Sequence, residues 1–257
     1  MKNVRAKKHL GQHFLNDKQI AFNITNLLSD GAQNVVEIGP GMGILTQFLV
    51  KKDFITEVVE IDTESVFYLR LNYPQLADKI TEGDFLQLNL EEKYPYNFSL
   101  IGNFPYNISS QILFKAFENR DQIPEVIGLF QKEVAESIAC KKGKKRGVLS
   151  VFLQAFYDVE YCFTVNEDVF TPPPKVKSGV LKLVRNSRKE LPVDEQKFKL
   201  VVKAGFNQRR KTLRNALKPF ILINESEIVN LLPLRAEQLS VDDFIKLTNH
   251  VGEIRNK

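Results

Sequence analysis

The stretch "VVEIGPGMGILT", Val35 to Thr46, changes texture at its midpoint: an apolar, β-branched run meets three glycines, and a helical pattern follows. A strand that ends in a glycine turn and reopens as a helix is the opening unit of a parallel, doubly wound α/β sheet. The same pattern recurs outward from it. "NVVEIG" (34–39), "TEVVEI" (56–61), "KITEGD" (79–84), "FSLIGN" (98–103) and "EVIGLF" (125–130) read as strands, with helical patterns such as 45–52 and 110–118 between them. "VEYCFTV" (159–165) and "GVLKLVR" (179–185) have no helix between them, which predicts an antiparallel pair at one edge of the sheet, with "TPPPK" in the connection. Beyond the polar linker "NSRKELPVDEQ", the segments "FKLVVKAGF", "KTLRNALKPF", "ESEIVNLL" and "VDDFIKLTNHV" predict a small helical second domain. The expected division is 1–185 and 186–257.

A chain of 257 residues that is 43% hydrophobic can fill a core of its own. Two cysteines, Cys140 and Cys162, are too few for a disulfide framework and have no ligand-spaced histidines beside them, so no metal is expected. The start, "MKNVRAKKHLGQHFLND", lacks an apolar signal segment, and no run approaches the roughly 18 apolar residues that span a bilayer. A cytoplasmic monomer with no membrane partner is expected. The net charge of +5 is unevenly spread. "KKGKKRG" fills Lys141 to Gly147, and no Asp or Glu occurs from Val169 to Lys189 or from Leu200 to Ile223. One such run reads as a solvated loop, whereas several in one chain favour a polyanionic partner.

The glycines are spaced GxGxG (Gly39, Gly41, Gly43), unlike a dinucleotide fingerprint, whose third glycine comes one position later. By themselves they specify only a tight turn. The acids that follow say more. Glu60 ends the second strand about 20 residues on, where a carboxylate can accept from both hydroxyls of a ribose. Asp84 ends the third strand, where it can accept from the exocyclic amine of the cofactor's adenine. Either acid alone reads equally as a helix cap. Strand ends converge at the switch point of an open parallel sheet, so together they describe a nucleoside site. No Lys-Ser/Thr pair follows the loop to hold a triphosphate, so S-adenosylmethionine (SAM) is expected rather than ATP.

The fourth strand ends in "NFPY". Asn103 offers a side-chain carbonyl, and the bend at Pro105 can expose a backbone carbonyl from Phe104 or nearby; together they would accept both hydrogens of an adenine amine. Tyr106 offers a face on which a flipped base can stack. "NFPY" resembles the N/D-P-P-Y/F motif of methyltransferases that modify exocyclic amines.

The likeness extends over nearly the whole chain. "KKHLGQHFLND", "EIGPGMGILT", "GDFL", "GNFPYNISS", "QKEVA", "FTPPPKVKSGVLKL" and "AGFNQRRKTLRNAL" resemble, in that order, the KsgA (RsmA) family of small-subunit rRNA adenine dimethyltransferases. That resemblance implies a Rossmann-like class I SAM-dependent methyltransferase sheet with a small carboxy-terminal helical domain that binds rRNA. It implies cofactor contacts from His13, Leu15, Gly39, Gly41, Glu60, Asp84 and Asn103, the last also reaching the target amine within Asn103-Phe104-Pro105-Tyr106. It places Phe170 on the base's other face and makes Arg209, Arg210, Lys211 and Arg214 the RNA contacts. The implied substrate is a pair of adjacent adenines in the 3′-terminal hairpin of 16S rRNA, with the pre-30S subunit as partner and a role in subunit biogenesis. Two other readings stay open: an adenine methyltransferase acting on other nucleic acid, such as an Erm-like large-subunit enzyme, and an assembly factor that binds RNA without relying on catalysis.

Overall fold

The computed structural model describes residues 4–254. Its strands are β1 (Phe14–Leu15), β2 (Asn34–Ile38), β3 (Ile55–Glu60), β4 (Ile80–Glu82), β5 (Ser99–Asn103), β6 (Glu125–Gln131), β7 (Tyr157–Val165), β8 (Phe170–Thr171), β9 (Ser178–Arg185), β10 (Phe220–Leu222) and β11 (Val251–Ile254). The helices are α1 (Lys18–Thr25), α2 (Thr46–Leu49), α3 (Thr63–Asn72), α4 (Leu90–Lys93), α5 (Ser109–Glu118), α6 (Lys132–Ala139), α7 (Val148–Phe156), α8 (Glu195–Asn207), α9 (Leu213–Ala216) and α10 (Val241–Asn249).

Seven strands form one sheet in the order β4-β3-β2-β5-β6-β9-β7. The five expected parallel strands are all there, and β9 enters antiparallel beside β6, with β7 outside it. Parallel strands covered on both faces need apolar residues throughout, which is why β2 and β6 read as runs rather than alternations. Val35, Ile101, Ile127 and Leu129 are buried together with Ala21 and Ile24 of α1. Asp17 caps that helix by accepting from the amides of Gln19 and Ile20. The parallel register has a direct consequence. Ile38 pairs with Val59, Glu60 with Glu82, and Asn103 with Leu129, so the carboxyl ends of β2, β3, β4 and β5 finish at one edge.

The chain divides into two compact units: residues 1–135 with 159–185, and residues 136–158 with 186–257. This differs from the expected single boundary at 185. The difference is the segment carrying α7, whose apolar face packs within the second unit: Phe152 lies 6.2 Å from Phe198 of α8, ring centre to ring centre. In the same unit Phe206 stacks on Phe244 of α10 at 6.0 Å. The second unit is mainly helical, but β10 and β11 add a small antiparallel ladder that the helical patterns did not announce. Among the described residues, no helix is long and apolar enough to cross a membrane, and no group of three His, Cys, Asp or Glu is placed to hold a metal ion.

Candidate functional site

A cavity opens at the carboxyl edge of the sheet. Its lining includes His13, Gly39, Gly41, Glu60, Asp84, Asn103, Phe104, Pro105 and Tyr106, residues drawn from five separate parts of the chain.

Glu60 is its most tightly held charge. Gly41 donates its N–H to Oε2 at 3.0 Å and Asp62 donates its N–H to Oε1 at 2.9 Å, while the residue is only 3% exposed. Burial pushes the carboxyl above its ordinary range, against the pull of those two amides. Each oxygen still has lone-pair capacity, so further hydroxyl donors would stabilise the charged form. Gly41 must be glycine for two reasons: its φ is +55°, and a Cβ there would come within 2.7 Å of the Phe14 ring. Asp84 caps the turn Phe85–Gln87, accepting from the Leu86 amide at 2.9 Å through Oδ1. The cap and the ligand role are therefore compatible, since Oδ2 has no hydrogen-bond partner among the described residues.

Asn103 donates Nδ2–H to the His13 carbonyl at 2.8 Å. That bond fixes the sense of the amide and leaves Oδ1, the acceptor, to the cavity. The His13 ring is itself held: Nδ1 meets the Pro172 carbonyl at 2.7 Å, and a carbonyl can only accept, so Nδ1 carries the proton. The imidazole stacks against Tyr106, with centroids 5.5 Å apart and planes 29° from parallel. Tyr106 is tied at its far end by a 2.5 Å hydrogen bond to Ser178. Phe104 turns the other way. Its ring is 1% exposed, lies 5.2 Å from Phe130, and fills space left by Gly102 and Gly128. Only its backbone is available to a ligand.

Two expected residues lie elsewhere. Leu15 and Phe170 face each other across the β1–β8 ladder, 3% and 2% exposed, in the core with Val180 and Leu129. Neither side chain lines the cavity. The physical reason is that each is a large apolar group on a short ladder whose inner face covers the sheet, where burial outweighs exposure to a ligand. His13 takes one face of Tyr106, and the Phe170 ring packs in the core. Residues not foreseen complete the site. Ile61, 50% exposed, and Phe85 line the cavity beside the two strand-end acids, and Lys7 bridges to Asp62 and, at 3.3 Å, to Glu64. Adjacency to Glu60 and Asp84 was the available signal for the first two.

Nearly the whole chain matches known proteins. A family model described as "Ribosomal RNA adenine dimethylase" covers residues 3–251. Proteins named ribosomal RNA small subunit methyltransferase A are 59% identical in Cytophaga hutchinsonii, over 97% of this chain and 98% of the relative, and 55% identical in Bacteroides thetaiotaomicron, over 98% and 96%. The chain belongs to the ribosomal RNA adenine dimethylase family. Among solved structures, a dimethyladenosine transferase from Plasmodium falciparum shares the fold with a TM-score of 0.77 at 23% identity, covering 93% of this chain and 99% of that one. The 23S rRNA methyltransferase ErmE shares it at 0.72 and 21%, covering 92% and 98%. The sheet is that of a class I SAM-dependent methyltransferase, and SAM is the cofactor of this enzyme family.

The lining fits that cofactor. Glu60 offers acceptors for two ribose hydroxyls, Asp84 an acceptor for an adenine amine, Ile61 an exposed apolar face for a purine, and Gly39, at φ +63°, a wall without a side chain.

In the second unit the four expected RNA contacts part company. The helix expected through them exists only as α9, and residues 208–211 form a turn. Arg209 donates Nε–H to Glu237 at 2.9 Å and Nη2–H to the carbonyls of Lys144 and, at 3.2 Å, Arg146. Arg214 pairs with Glu225 at 3.1 Å. Arg210 and Lys211 are exposed and have no acidic partner among the described residues. The acids absent from the local sequence arrive from residues 225 and 237.

Proposed function

We propose that this chain transfers methyl groups from SAM to the exocyclic amines of two adjacent adenines in the 3′-terminal hairpin of 16S rRNA, acting as a cytoplasmic monomer on the pre-30S subunit during its biogenesis. The observation that carries this reading is the sense of the Asn103 amide. With Nδ2 committed to the His13 carbonyl, Oδ1 stands as the acceptor for a target amine.

Bound at the strand ends, the cofactor supplies a methyl group on an electrophilic sulfonium. The chain's own part is placement. Glu60 and Asp84 hold the nucleoside, and Tyr106, braced by Ser178 and His13, stacks the flipped adenine on its one open face. A second cavity of about 610 Å³ shares His13 and Tyr106 with the first and provides the approach for the base. Asn103 Oδ1 and a carbonyl near Pro105 accept both amine hydrogens, drawing the lone pair out of conjugation with the ring. No residue has to remove a proton before attack, because the neutral amine is the nucleophile and the product cation is acidic enough to release its proton to water. A second transfer to the same amine would need the spent cofactor to be exchanged for a fresh SAM, with the monomethylated amine turned in place so that its lone pair again meets the methyl group.

Mass spectrometry of 16S rRNA from cells lacking the gene, and from cells regaining wild type or Asn103→Ala, tests the proposal. Dimethyladenosine should return with wild type only, with the variant's rate lower by about 10²-fold or more. Near-wild-type transfer by Asn103→Ala would refute the amine-positioning role.

A further inference from the structure

The basic run 141–147 has an internal construction that a solvated loop does not need. Its last cation, Arg146, points inward and is 1% exposed. Nη1 donates to the Cys140 carbonyl at 2.8 Å, to the Lys141 carbonyl, and to Gln154 Oε1 at 2.7 Å. Gln154 in turn donates Nε2–H to the carbonyls of Ile138 at 2.7 Å and Cys140 at 3.2 Å. Nε and Nη2 of Arg146 find no partner among the described residues, and burial pushes the guanidinium down to about 10. Burying a guanidinium costs free energy, so the loop's shape is being held against an opposing term.

Two more anchors act on the same loop. The Gly143 amide donates to the Glu237 carbonyl at 2.7 Å, and Arg209 reaches from the turn after α8 to the carbonyls of Lys144 and Arg146. Apart from the bond to Gln154, these anchors grip main chain, and the lysine side chains are left outside. Lys141, Lys142, Lys144 and Lys145 are all exposed. Lys142 lies 3.7 Å from Asp243, and Lys145 2.5 Å from Glu136, surface pairs that salt screens readily. Lys141 and Lys144 have no acidic partner among the described residues. Arg210 and Lys211 follow Arg209 directly, so Arg209 joins two exposed basic segments while being itself engaged in holding them.

We infer that the loop Lys141–Lys145, together with Arg210 and Lys211, is a preorganised surface for RNA phosphates, and that Arg146 and Arg209 are the positioning residues that shape it. The inference rests on the rRNA reading above for the identity of the polyanion. Fixing several like charges on one short loop is unfavourable until a polyanion is brought to them, and a phosphate backbone does so at regular spacing. The ordering of the loop is already complete in the folded protein, so binding need not supply it.

Binding of the 16S 3′-terminal hairpin should be measured against salt for wild type and the double variant Lys141→Ala/Lys144→Ala, both surface substitutions compatible with folding. The logarithmic salt slope should fall by about two units, roughly one for each lysine, with SAM affinity unchanged. An unaltered slope would overturn the inference. So would capture by phosphatidylserine vesicles that the double variant abolishes while the RNA slope stays the same. Methylation of the hairpin by wild type tests the functional reading separately: activity with an unaltered slope in the variant sinks the loop alone, whereas absence of methylation sinks the reading beneath it.

Discussion

Glu60 and Arg209 are both charged, both sit in short motifs, and the structure uses them in opposite ways. Glu60 is bound by two backbone amides and lines the cavity at the strand ends. Arg209 spends its donors on Glu237 and on the loop carbonyls of its own unit. The difference lies in what precedes each residue. Glu60 ends a parallel strand, whose register delivers it to the same edge as Asp84 and Asn103. Arg209 follows a helix end, in a turn where neighbouring side chains diverge. Regular elements convert spacing into direction, and turns do not.

The comparison is sharpest at Tyr106 and Phe170, two aromatics expected to do the same job. Phe170→Ala should cost about 3–5 kcal/mol of stability as a truncation in the core, seen in chemical denaturation. Tyr106→Ala should leave stability closer to wild type and weaken capture of the base by about 1–3 kcal/mol, read by RNA titration with cofactor affinity unchanged. Interchanged outcomes would put Phe170 back in the site.

Asp84→Ala removes a charged acceptor, and calorimetry with SAM should show a loss of about 1.5–3 kcal/mol. Unchanged affinity would leave Asp84 as a turn cap only.

Arg209→Ala and Arg210→Ala, side by side, test the second unit. Arg209→Ala leaves Glu237 unpaired and frees the loop, so its melting temperature should fall, with a cost on the order of 1 kcal/mol. Arg210→Ala should melt like wild type and flatten the salt slope for RNA by about one unit. Equal behaviour of the two variants would erase the distinction.

A further effect, read against pH and not by truncation, concerns Glu37, buried in β2 and accepting from Thr46 Oγ1 at 2.6 Å. Burial pushes its carboxyl up to about 8, with the Thr46 bond opposing and Glu60 adding to the rise. Between the unfolded value of 4.5 and about 8, the folded state holds a proton that the unfolded state has released. Stability therefore falls as pH rises through that window, by at most about 1.4 kcal/mol per unit, and levels off above it. Glu37→Gln keeps the acceptor and should flatten the dependence between pH 5 and 8, as followed by thermal melts in that range. A profile identical to wild type would show that Glu37 is ionised when folded.

Most of the fold was legible because apolar runs, glycine turns and strand-end acids are local signals. Glu60, Asp84 and Asn103 were placed at strand ends by the same means, and all three line the cavity. The β1–β8 ladder was not, since its pairing of Leu15 with Phe170 joins residues far apart in sequence and lasts only two positions. Ser178 was missed for a similar reason: nothing near it in sequence announces Tyr106 as its partner. Arg146 looked like one more cation in "KKGKKRG", and only the carbonyls around it show that it faces inward. The segment 136–158 reads as ordinary amphipathic chain, and its choice of unit is decided by Phe198, a residue encountered much later.

That last arrangement has a consequence for the order of synthesis. Phe152 and its apolar neighbours on α7 leave the ribosome before any of α8 exists, and at about 5–20 residues per second they wait roughly 2 to 9 seconds for Phe198. Meanwhile β9 has still to be made before it can take its place beside β6 in the first unit's sheet. Both units thus stay incomplete together, each interrupted in sequence by a segment of the other, and the Phe152 ring waits without the ring it packs against. A chain stopped at residue 185 would carry this exposure permanently.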